Sequence, residues 1–114
     1  MADIDDKWVR LVSKLNALTQ DGELNWDGPY AGSYTNGRSF KDYYADYKDK
    51  AFKLRDASKF RDQQRKVFLD IVDGNDRNSS LFSIPEVVGF IDLCDSVIYQ
   101  RAGIHDLLDD LLKD

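Results

Sequence analysis

Cysteine occurs once in this chain of 114 residues, at Cys94, so no internal disulfide can form. That scarcity suits a reducing compartment. Histidine also occurs once, at His105, and one imidazole with one thiol cannot build a conventional zinc site. Proline appears only at Pro29 and Pro85, which leaves no proline-rich linker. No apolar run approaches the roughly 18 residues of a membrane span, so no membrane is expected among the partners. The sequence has no G-x-S-x-G, P-loop or G-x-G-x-x-G pattern, which removes the usual seats of hydrolase and nucleotide chemistry. The opening residues Met1 to Asp6 are acidic and polar, unlike the basic-then-apolar layout of a signal peptide, and the expected location is cytoplasmic.

What is present is a globular pattern with an uneven charge. The chain carries a net charge of -5 and is 42% hydrophobic, and at this length it forms one domain, residues 1–114. Residues 1–37 hold 3 basic and 6 acidic side chains, residues 38–66 hold 10 and 5, and residues 67–114 hold 3 and 10. A basic middle is thus flanked by acidic ends, an asymmetry that either steers partners or neutralises itself across the fold.

Periodicity divides the chain into elements. Ile4, Trp8, Leu11, Val12, Leu15 and Leu18 lie on one face of a helix that Asp3 can cap and that Asp21-Gly22 ends. From Leu24 and Trp26 the period becomes alternating, with Asp27-Gly28-Pro29 read as a break. Tyr30 to Tyr34 and Arg38 to Phe40 flank Asn36-Gly37, a hairpin dipeptide. Tyr43, Ala45 and Tyr47 are predicted to share one face of a strand, and Phe52 and Leu54 one face of the next, joined by Lys48-Asp49-Lys50. Residues 56–66 are polar and read as a loop or a short helical turn. Val67, Leu69 and Ile71 form a further strand, Asp73-Gly74-Asn75-Asp76 a turn, and Ser80 to Ser83 a last strand. Ser83-Ile84-Pro85-Glu86 has the spacing of a capping box and predicts a helix start, followed by an apolar stripe from Val87 to Ala102. Gly103 stops that helix, and Ile104, Leu107, Leu108, Leu111 and Leu112 mark a short final one. The expected fold class is α+β: an N-terminal helix, an antiparallel meander of four to five short strands, and two C-terminal helices packed on one face of the sheet.

Trp8-x2-Leu11-x3-Leu15 followed by Thr19-x2-Gly22-x-Leu24-x-Trp26 resembles the opening of many small uncharacterised bacterial and phage accessory proteins. They too continue into a short sheet and end in helices. The resemblance covers about the first quarter of the chain. It implies a prokaryotic or mobile-element accessory protein and transfers no catalytic residue. The same residues are equally a way to dock a helix onto a strand.

The chemical groups that do occur have plain structural readings. Cys94 sits among Ile91, Val97 and Ile98 as a small core residue, with no basic neighbour in sequence to activate it. His105 is read as a capping residue of the last helix. The Asp73 to Asn78 run fails as a calcium loop, because Arg77 takes the third ligand place and Ile84 the place of the bidentate glutamate. No catalytic residue, metal or cofactor is assigned.

Binding is therefore the expected function. The leading reading is a non-catalytic module that recognises a protein, of the immunity or anti-defence inhibitor kind. The interface is expected among Tyr30, Tyr34, Arg38, Tyr43, Tyr44, Tyr47, Lys48, Lys50, Lys53 and Arg55, since tyrosine gives large contact area at low entropy cost. The acidic helices compete with this basic segment for the role. The alternative is a small nucleic-acid-binding regulator that stacks bases on the central aromatics and pairs phosphates with the interleaved Lys and Arg. A homodimer is compatible with either.

Overall fold

The computed structural model describes residues 3–32, 38–59 and 66–113. Helix α1 (Asp3–Gln20) leads into strands β1 (Asp27–Ala31), β2 (Arg38–Tyr47), β3 (Lys50–Lys59), β4 (Lys66–Asp73) and β5 (Asp76–Ser83), and the chain closes with α2 (Phe90–Ala102) and α3 (Ile104–Leu112). The five described strands pair antiparallel in chain order. The fold is α+β, a meander with helices at both ends of the sequence.

Alternation assigns the two sheet faces. Register pairs Tyr43 with Leu54 and Leu54 with Leu69, and it pairs Ala45 with Phe52 and Phe52 with Ile71. Those residues face the helices. With Val12, Leu15, Trp26, Leu93, Cys94 and Val97 they form or pack against the hydrophobic core. Cys94 is fully buried there. Trp8, early in α1, stacks on Phe82 of β5 with ring centroids 5.4 Å apart, so the helical layer reaches the last strand.

The Thr19 to Trp26 motif acts as a latch between α1 and the sheet. Thr19 donates its hydroxyl to Leu15 O at 2.7 Å and accepts the indole N–H of Trp26 at 2.9 Å. Gln100 of α2 completes it. Its amide nitrogen donates to Thr19 O and Leu24 O, and its amide oxygen accepts the Trp26 backbone N–H at 2.8 Å. The Leu24 carbonyl and the Trp26 amide, which lie between helix and ladder, thereby keep partners, where an unpaired buried one costs about 1–3 kcal/mol.

Four local expectations are corrected. Residues 56–59 are not loop: β3 runs to Lys59, with Asp56 opposite Lys41 on β2 and Val67 on β4. Polar composition hid this strand because it is central and its ladder needs only backbone groups; residues 60–65 lie outside the described segment. Asp27-Gly28-Pro29 opens β1 rather than breaking the chain, since the register shifts between Asp27 and Tyr30 absorb the irregularity. A Cβ on Gly28 would stand 2.7 Å from Asp42 O, so only glycine lets the two backbones approach. The Ser83 to Glu86 capping box is not used. Ser83 remains in β5, where it pairs with Asp70, and α2 begins at Phe90 after Gly89, whose φ of 106° suits glycine. The cap before α3 is Gly103; His105 lies two residues later, inside the helix, and its side chain lies outside the described residues.

Candidate functional sites

The face of the sheet turned away from the helices carries Phe40, Asp42, Tyr44 and Asp46 on β2 and Lys53 and Arg55 on β3. Arg77, near the start of β5, donates to Asp27 on β1 at 3.0 Å and to Asp46 on β2 at 3.3 Å. The first and last strands are four spacings apart, roughly 19 Å in a flat sheet at about 4.8 Å per strand. No side chain spans that distance, so the sheet curls and this face is concave. Its floor is closed accordingly: Asp42 is 5% exposed, and Val72, Ala51 and Ala57 are buried.

Within this trough the charges answer one another. Arg55 holds Asp42 through two parallel bonds, Nε to Oδ1 at 2.8 Å and Nη2 to Oδ2 at 3.0 Å, the geometry in which a guanidinium and a carboxylate are most firmly joined. That bond raises the Arg55 pKa against the opposing effect of burial. For Arg77 burial works against the charge, and the bonds to Asp27 and Asp46 outweigh it, so its pKa also ends raised. The ring of Tyr44 lies under the Arg77 guanidinium at 4.8 Å and the Lys53 ammonium at 5.9 Å. Burial, then the Asp42 charge, pushes the Tyr44 phenol up. An open cavity of about 640 Å³ remains above these groups, with Tyr30, Gly32 and Asn78 on its rim.

The residues expected at an interface are thus divided. Tyr30, Tyr44, Lys53 and Arg55 meet in the trough. Tyr43, expected beside Tyr44, faces the other way and is 4% exposed in the core, because successive strand residues alternate. Tyr47 is exposed at the β2–β3 turn with the Lys48 ammonium 5.4 Å from its ring, and Lys50 pairs with Asp49. Arg38 opens β2, and its side chain, like all of Tyr34, lies outside the described residues. Sequence reading missed Arg77, which belongs to a turn region of acidic bias and meets its partners only through sheet curvature. Of the aspartates in the basic segment, Asp42 is the partner of Arg55, and Asp46 is held by Arg77 from outside that segment.

A second surface lies on the helices. Leu107, Leu108, Leu111 and Leu112 of α3 are 51%, 46%, 69% and 80% exposed. Their spacing places them on one face of the helix. Among the described residues none of them belongs to the core, and α3 packs chiefly on α2. The radius of gyration, 15.0 Å, exceeds the about 13 Å expected of a compact domain of this length. Beside α3, a cleft of about 840 Å³ between α1 and α2 is lined by Asn16, Gln20, Asp92, Asp95, Tyr99 and Asp106 among others. Ser96 donates to Asn16 at its inner wall and accepts from Gln20.

Among the described residues no cluster of three or more His, Cys, Asp or Glu side chains has the geometry to hold a metal ion, and no helix is long and apolar enough to cross a membrane. No protein-family model matches the chain, and neither a curated protein nor a solved structure matches it.

Proposed function

We propose that the chain is a non-catalytic protein-binding module, of the immunity or anti-defence inhibitor kind, and that it engages its target through α3 and the adjoining face of α2. The observation that carries this reading is the set of four leucines standing 46% to 80% exposed on one face of a nine-residue helix. A helix shorter than about 12 residues is marginal in water and relies on burial of its apolar face. Here that face is offered outward, as in complexes that bind by an amphipathic helix. Tyr99 and Ile91 of α2 are also exposed, 53% and 46%.

The nucleic-acid alternative finds less support. Arg55 and Arg77 are committed to carboxylates, and Tyr44 is 9% exposed with its ring beneath two cations, which leaves it little surface on which a base can stack. A co-precipitation from the native host, comparing the natural chain with a Leu108→Asp/Leu111→Asp variant, tests the proposal. A protein retained by the first and lost by the second is expected; identical recovery by both contradicts an interface on α3.

A further inference from the structure

Resting on the reading of α3 as an interface, we infer that its partner presents a cationic amphipathic helix. The apolar part of the argument is the leucine face, a linear stripe about two turns long that matches the stripe of another helix. The remainder is charge. Asp106, Asp109 and Asp110 are exposed on the same nine residues, and Asp92 is exposed on α2. Residues 84–113 hold six carboxylates against two cations, Arg101 and Lys113. Arg101 is engaged through its Nε with the carbonyl of Gly28.

The cleft beside α3 adds to the acidic character of this end of the chain. Asp92, Asp95 and Asp106 line it together with Tyr99. Carboxylates with an aromatic ring are the surroundings that a lysine or arginine head seeks. At about 3.6 residues per turn Asp109 and Asp110 fall at the two edges of the leucine face and Asp106 falls opposite it, so basic residues flanking the stripe of a docked helix meet Asp109 and Asp110.

The same charges disfavour a second copy of this chain. Symmetric packing of α3 on α3 brings two acidic helices together, each with Asp106, Asp109 and Asp110, and like charges at an interface cost affinity and specificity. An anionic membrane surface is disfavoured on the same ground.

The test uses the full chain and two fluorescent synthetic peptides with identical leucine stripes, one flanked by lysines and one by glutamates. The lysine peptide is expected to bind saturably at one per chain and at least tenfold more tightly than the glutamate peptide. Leu108→Asp/Leu111→Asp should weaken it tenfold or more, with an unchanged circular dichroism spectrum showing that the fold survives. Asp109→Lys/Asp110→Lys should narrow or reverse the preference between the peptides. Equal binding of both peptides, abolished by the leucine substitutions, overturns the cationic partner and leaves the α3 interface standing. Binding indifferent to the leucine substitutions, or absent for both peptides, overturns both readings. Sedimentation that shows a dimer broken by the leucine substitutions assigns the face to a second copy and overturns this inference.

Discussion

On the concave face of the sheet, Arg55 and Arg77 are matched with Asp42, Asp27 and Asp46, while on α3 four leucines stand against solvent with aspartates beside them. By sequence the tyrosine-rich basic segment is the expected interface, and the acidic helices are its competitor for that role. The difference lies in what surrounds each group. A charged or aromatic side chain is available to a partner only if the fold has not already supplied it with one. The trough joins β1, β2, β3 and β5 through its own ion pairs and serves the stability of the sheet. Among the described residues the apolar face of α3 contributes nothing to the core, which is why the proposal places its partner outside the chain.

Substitutions can break this contrast from either side. Arg55→Ala has the largest expected effect, because it strands the Asp42 carboxylate at 5% exposure. A loss of about 2–3 kcal/mol is expected in urea unfolding, below the value for a fully buried pair because Arg55 is itself partly exposed. Retention of wild-type stability would show that the trough charges are free for other work.

Alkaline pH probes the same region more finely. The Tyr44 pKa is raised in the folded chain above its ordinary 10.0. Below pH 10 the phenol is neutral in both states and its contribution is fully present. Above pH 10 the unfolded chain releases this proton first, so stability falls as pH rises toward the folded value. Tyr44→Phe should lessen that fall, as read from urea midpoints between pH 9 and 11. Arg77→Ala is expected to cost about 1 kcal/mol or less, since Asp27 and Asp46 are solvated, and its effect should shrink in high salt. The smallest effect is expected from Leu111→Ser on α3, within about 0.5 kcal/mol of the natural chain, as for a surface position.

Much of the fold was legible in the sequence because its signals are local. The helical period of Trp8 to Leu18, the Asp73 to Asp76 turn and Gly103 each announce themselves within a few residues, and each lies where expected. The errors came where tertiary context overrides local preference. The polar Asp56 to Lys59 run became strand because β2 and β4 flank it, and the Ser83 to Glu86 box lost its helix because Ser83 is held in the β4–β5 ladder. The trough was only half legible. Alternation places Tyr44, Lys53 and Arg55 together once the register is known, but bringing Arg77 to Asp27 depends on curvature, which leaves no mark in a single strand. The α3 face was readable as a leucine stripe, and only its exposure distinguishes an interface from a core helix.

The central claim, that the sheet trough holds the fold together while α3 is held in reserve for a partner, is tested most directly by comparing the urea midpoints of Arg55→Ala and Leu108→Ser/Leu111→Ser. The account predicts a clear drop for the first and a midpoint within about 1 kcal/mol of the natural chain for the second. A loss of several kcal/mol from the leucine pair, with little from Arg55→Ala, would contradict it.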